Sequence, residues 1–197
     1  MATLDRASLE YLIETAEESI QIKKKFLDEC GAKLIEAAKM LGECIHSGGK
    51  VLIVGNGGSA ADAQHMAAEM VGRMLVERCA LPAIALTTDS SNLTALGNDY
   101  GYELVFSRQI QALARKGDVV LAISTSGNSK NILEAVRMAH DVGCKVIGLT
   151  GGSGGKLLGA CDLDLNASLG TNSSRIQETH IFAIHSMVDL LDRFYLK

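Results

Sequence analysis

A chain of 197 residues with 47% hydrophobic and 21% charged residues is globular rather than disordered, and long enough for one well-buried domain over 1–197. A net charge of −4, no Trp and 4% aromatic residues argue against a nucleic-acid surface with base-stacking platforms. No apolar run approaches the ~20 residues of a membrane span, no signal peptide opens the chain, and the five cysteines form no CxxC pair, which points to a reducing, cytoplasmic setting.

Leu9, Leu12, Ile13, Ala16 and Ile20 follow helical spacing from about Ser8 to Phe26. Leu34, Ile35, Ala38, Leu41 and Ile45 repeat it from about Cys30 to His46, before Gly48-Gly49 ends the pattern. Residues 1–47 thus read as a helical hairpin, the kind of appendage that often mediates oligomerisation. From residue 48 the pattern becomes strand, loop, helix, repeated. The strands are Lys50–Val54, Ala83–Leu86, Asp118–Ile123, Lys145–Leu149 and, more weakly, Leu163–Asn166. They are unbroken apolar runs, as in a parallel sheet buried on both faces. Helices are predicted over Ala60–Leu75, Glu103–Arg115, Lys130–Asp141 and Ser173–Tyr195. The fold class is α/β: a doubly wound α/β/α sandwich over 48–197, with an about five-stranded parallel sheet and ligands at the carboxyl ends of the strands.

Two small-residue loops fall at such ends. Gly55-Asn56-Gly57-Gly58-Ser59-Ala60 follows the first strand, and Ser124-Thr125-Ser126-Gly127-Asn128-Ser129 follows the third. Each runs into a helix, whose free N–H groups suit a compact dianion. The second loop adds hydroxyls at Ser124, Thr125, Ser126 and Ser129. Neither matches a nucleotide fingerprint. Lys130, at a helix start where a cation is disfavoured, reads as a solvated side chain.

His65 and Glu69 lie one and two turns into the helix after the first loop and share a face. That spacing serves a divalent metal, an acid/base pair, or a solvated ion pair. In the last helix Gln177, His180 and His185 interrupt an apolar stretch within one broad sector. Spacing leaves open which histidine faces a site. Residues 86–103, rich in Asn, Asp and hydroxyls, read as a third polar loop.

The segments GNGGSAADAQHMAAE (55–69), LPAIALTTDSSNLTALGNDYGYE (81–103), GDVVLAISTSGNSKNI (117–132) and RIQETHIFAIH (175–185) resemble the sugar isomerase (SIS) superfamily and, within it, the phosphoheptose isomerase family. The resemblance covers most of the chain. It implies one zinc ion per subunit, held by His65, Glu69, Gln177 and His185, and so selects His185 over His180. It also implies a phosphosugar substrate, its phosphate on Ser124, Thr125, Ser126 and Ser129. Asn56, Gly57, Ser59, Asp99 and Gln177 would contact the substrate, with Asp89 assisting. Ser174 stands where some members carry an acid.

The activity implied is isomerisation of sedoheptulose 7-phosphate to D-glycero-D-manno-heptose 7-phosphate, with Glu69 as base and His185 as partner acid/base. That heptose feeds bacterial surface polysaccharide such as lipopolysaccharide. A homotetramer with sites between subunits is implied too. Rival readings are an isomerase for another phosphosugar, or a non-catalytic SIS protein that binds a replication initiator or senses a phosphosugar. The joint presence of Glu69 and His185 favours the enzyme.

Overall fold

The computed structural model describes residues 3–196, with side chains from Asp5 onward. Its elements are α1 (Thr3–His46), β1 (Val51–Gly55), α2 (Gly58–Val71), β2 (Ala83–Ala85), α3 (Ser90–Tyr100), α4 (Val105–Leu113), β3 (Val119–Ser124), α5 (Lys130–Val142), β4 (Lys145–Gly151), β5 (Leu163–Ala167) and α6 (Ser173–Leu190). The five strands form one parallel sheet in the order β2-β1-β3-β4-β5. Every residue of β1 and β3 is buried. Alternate side chains face opposite ways, so the single apolar run of β1 feeds two cores. Val51 and Ile53 pack with α1, α2 and α6, while Leu52 and Val54 pack with α4 and α5. This two-faced burial is why β1 and β3 carry no polar alternation, whereas the edge strand β5 alternates, with Asp164 and Asn166 half-buried between Leu163, Leu165 and Ala167.

The order reverses between β1 and β3: the chain steps outward from β1 to β2, then returns to β3 and builds the other way. A crevice opens at such a switch point, beyond the carboxyl ends of the two strands. Both small-residue loops lie there.

The expected N-terminal hairpin is one uninterrupted helix. α1 runs 44 residues, about 66 Å at 1.5 Å per residue. The segment between the two expected helices, Leu27-Asp28-Glu29, has no Pro and no Gly. Gly31, just beyond it, costs about 1 kcal/mol inside a helix, too little to break it. The Lys25–Glu29 ion pair (2.9 Å) spans the segment, and Phe26, Cys30 and Leu34 keep one buried stripe across it. The N-terminal half projects beyond the core and exposes Leu9, Tyr11, Leu12, Ile13 and Ile20.

The third polar loop is also corrected: most of it is α3. Asp89 caps this helix, its Oδ1 accepting the Asn92 N–H at 2.9 Å. None of its residues is fully buried; only Leu93 and Leu96 rest against the second core, a stripe too short to mark a helix among turn residues. The helix expected over Glu103–Arg115 begins at Val105 after a 3₁₀ turn, Tyr102–Leu104, and α2 stops at Val71 rather than Leu75. α6 passes into a π-helical turn, Leu191–Tyr195. Among the described residues no helix is long and apolar enough to cross a membrane, and all five cysteines are unpaired.

Candidate active site

α2 and α6 pack side by side on one face of the sheet, each starting at the carboxyl-end rim. Their facing side chains bring together His65, Glu69 and His185. The His65 and His185 Nε2 atoms are 2.8 Å apart, with ring planes inclined at 66°. One ring therefore donates an Nε2 proton that the other accepts. The Glu69 Oε1 atom lies 3.4 Å from His65 Nε2. His65 is 43% exposed and Glu69 20%, so the cluster is open to solute yet backed by the core residues Met66 and Met70.

His180 points the other way. Five residues separate it from His185, about 140° around a 3.6-residue turn, so the two do not share the sector expected of them. His180 is fully buried, and its Nε2–H donates to the Thr150 carbonyl at 2.9 Å. Burial pulls its pKa down to about 4, leaving a neutral imidazole in the core. Gln177 lies against the first turn of α2: a Cβ at Gly58 would stand 2.4 Å from its Nε2. Gly58 precedes His65 by seven residues, about 10 Å along the helix, so the fourth expected metal ligand sits at the phosphate-loop end of the cleft.

Asp62, also on α2, has a buried Oδ2 with no partner among the described residues. Burial raises its carboxyl to about 6, against the opposing pull of His65. Its place between alanines gave no sequence signal.

The loop after β3 is tightly built. Ser124 is 4% exposed, and its hydroxyl lies 3.2 Å from that of Ser129, which begins α5 without spending its side chain as a cap. The Ser126 Oγ accepts the Asn128 N–H (3.2 Å), and the Asn128 amide donates to the Ser126 carbonyl (2.9 Å). The Gly-rich turn after β4 holds the loop from outside, Lys156 N–H donating to Asn128 Oδ1 (3.1 Å) and Leu157 N–H to the Gly127 carbonyl (2.9 Å). Thr125 and Ser126 are left at the crevice surface, with the Lys130 ammonium exposed beside them and 3.5 Å from Glu103.

In the first loop, Gly57 takes φ +56° as the N-cap of α2, and Ser59 is buried in its first turn. Asn56 is not a free sugar contact. Its side-chain amide and that of the buried Asn131 exchange two hydrogen bonds of 2.9 Å, tying the β1 loop to α5 across the switch point. Tyr102 OH adds a longer bond of 3.4 Å to Asn56 Oδ1. Asn131 was missed from sequence, although it is a lone amide on the otherwise apolar face of α5 formed by Ile132, Ala135, Val136 and Ala139. Asp99 is exposed and accepts from Asn98 Nδ2 (2.7 Å), while Asp89 is spent on capping α3.

The SIS domain family matches residues 15–151. A phosphoheptose isomerase of Aliarcobacter butzleri is 52% identical over 181 residues, covering 87% of this chain and 95% of the relative. The solved phosphoheptose isomerase of Neisseria gonorrhoeae superposes with a TM-score of 0.87 at 47% identity, over 93% of this chain and 98% of that one. That of Francisella tularensis gives 0.88 at 41% identity, over 98% and 100%. The chain therefore belongs to the phosphoheptose isomerase family of SIS-domain proteins.

Proposed function

We propose that the chain is an aldose–ketose isomerase acting on sedoheptulose 7-phosphate, with D-glycero-D-manno-heptose 7-phosphate as product. The observation that carries this reading is the His65–Glu69–His185 cluster, which lies between α2 and α6, about 10 Å along α2 from the rim that carries two anion-suited loops. A sensor or partner-binding protein needs the loops but has no use for an acid/base cluster.

Such an isomerisation moves a proton between two adjacent carbons and redistributes protons on their oxygens. The phosphate binds at the start of α5, on the hydroxyls of Ser124, Thr125, Ser126 and Ser129. This grip on a remote group orients the reacting end. The Glu69 carboxylate takes the proton from the carbon beside the carbonyl, and returns it to the neighbouring carbon. His185 exchanges a proton with the substrate oxygens, its ring oriented by His65. Asn56, Gly57 and Gln177 stand between the loops and the imidazoles, while Ser59, buried in the first turn of α2, supports the loop from beneath.

The residues fit a zinc ion. Two imidazole nitrogens and a carboxylate are a familiar zinc donor set, and bonds of about 2.0–2.1 Å place tetrahedral ligand atoms about 3.3 Å apart. The observed separations of 2.8 and 3.4 Å bracket that value. Among the described residues no group of three such donors forms a ready cage, so the imidazoles must part by about 0.5 Å. His65, Glu69 and His185 would hold the ion, with Gln177 reaching in from α6 past Gly58. Bound zinc would polarise the substrate carbonyl and stabilise negative charge on oxygen. A homotetramer belongs to the same reading, supported by the exposed apolar residues of α1, which monomers rarely present. So does supply of heptose for surface polysaccharide.

The test is to incubate the zinc-supplemented protein with sedoheptulose 7-phosphate and follow the sugar by NMR. Appearance of the aldose is expected. Binding without conversion would favour the sensing reading, and conversion of a different phosphosugar alone would reassign the substrate.

A further inference from the structure

Residues 72–82 leave α2 as an irregular segment, and one side chain from it turns back into the protein. Arg78 is 11% exposed. Its guanidinium donates from Nη2 to the Glu69 carbonyl (2.8 Å), and from Nη1 to the carbonyls of Met70 (2.8 Å), Gly72 (3.0 Å) and Cys79 (3.2 Å). Three of these belong to the end of α2, where carbonyls lack intrahelical partners and a cation is favoured. The Nε–H donates to Asp192 Oδ1 at 2.7 Å. Asp192 lies in the π-helical turn that extends α6 and is 1% exposed.

We propose that Arg78 and Asp192 form a staple that sets the register of α2 against α6, and thereby positions Glu69 and His65 against His185. The two helices carry all three members of the cluster. The guanidinium bonds the backbone of Glu69 itself, and Asp192 follows His185 by seven residues, about 10 Å along α6. A single link thus connects the base-bearing turn of one helix to the continuation of the other. Stability alone does not account for it. A buried ion pair gains little net free energy over apolar packing, and Asp192 Oδ2 has no partner among the described residues. What the pair does supply is a fixed distance and direction. Misplacing catalytic groups by about 1 Å costs on the order of a hundredfold in rate.

The kinetic arm of the test rests on the isomerase reading; a second arm does not. Arg78→Lys keeps the charge but loses the fork, and Asp192→Asn keeps an acceptor but loses the charge. For each variant we would record the imidazole Cε1–H NMR signals of the metal-free protein, urea stability, and kcat and KM at 25 °C. The His65 and His185 signals are expected to move while those of His46 and His140 stay. The parallel expectation is a fall in kcat of about 10- to 100-fold with KM within about twofold. Unmoved His65 and His185 signals overturn the proposal. So does kcat within about twofold of the parent, or activity lost only in step with folding, including failure of both variants to fold. If the parent turns over no phosphosugar, the imidazole signals decide alone, so the staple and the function fail separately.

Discussion

Two glycines with a positive φ allow the build of the anion loops to be weighed. Gly57 has φ +56° with ψ −121°, and Gly127 has φ +61°. Replacing either by Ala puts a side chain in a region that L residues rarely adopt, at about 1–3 kcal/mol. At Gly57 the new Cβ meets nothing within 4 Å, so the cost should end there. At Gly127 it would stand 1.8 Å from the Gly154 carbonyl oxygen, which must retreat 1.2 Å to reach even a 3.0 Å contact. That retreat strains the Leu157 N–H bond to Gly127 and the Gly127 N–H bond to Ser124, each worth about 1 kcal/mol. Gly127→Ala should therefore cost about 3–5 kcal/mol, and lower Tm by about 10 °C for a chain of this size. Urea unfolding followed by circular dichroism, with both variants side by side, measures the gap. Equal costs for the two variants would refute the view that the β4–β5 turn is what braces the phosphate loop.

Other consequences follow from single contacts. Asn56→Ala and Asn131→Ala should each cost about 2 kcal/mol by loss of the paired amides, and the double variant little more than either; an additive pair in urea unfolding would dissolve that link. Gly58→Ala should displace the Gln177 side chain and weaken zinc retention while leaving Tm nearly unchanged, read by elemental analysis after dialysis. The folded pKa of His180, near 4, lies below its unfolded value near 6.5. Between these values the unfolded chain binds the extra proton, so stability is full above pH 6.5 and is lost as pH falls towards 4. The stability of the parent relative to His180→Leu should shrink over that window, by up to about 1.4 kcal/mol per pH unit; a constant difference would show that this histidine does not titrate with unfolding.

The central strands were legible because both of their faces are buried, which writes them as unbroken apolar words such as Val51-Leu52-Ile53-Val54, whereas the edge strand β5 alternates as Leu163-Asp164-Leu165-Asn166 and read more weakly. The loops were legible because they stand at strand ends and carry small and hydroxylated residues. Less visible were features set by what a residue meets rather than what it is. The apolar spacing on either side of Leu27-Asp28-Glu29 read as two helices, but Phe26, Cys30 and Leu34 hold one continuous helix against the core. α3 places only Leu93 and Leu96 against the core, too short a stripe to stand out from its turn residues. His180 and His185 have the same chemistry, and only the sheet beneath α6 tells which one is spent on a core carbonyl. Asn56 kept its place at the rim but not its freedom, because its partner Asn131 lies 75 residues away in sequence. The Arg78 clamp is likewise invisible in sequence, since its target is mostly backbone.

Transfer of a carbon-bound proton by Glu69 in the cleft between α2 and α6 can be observed without waiting for net conversion. The parent and Glu69→Gln would each be incubated with sedoheptulose 7-phosphate in D₂O, and deuterium at the terminal CH₂OH carbon beside the ketose carbonyl and at the carbon next to the aldose carbonyl followed by NMR. The parent should exchange these positions and form labelled aldose, while Glu69→Gln binds the sugar and exchanges neither. Exchange or conversion by Glu69→Gln at the parental rate would contradict Glu69 as the base.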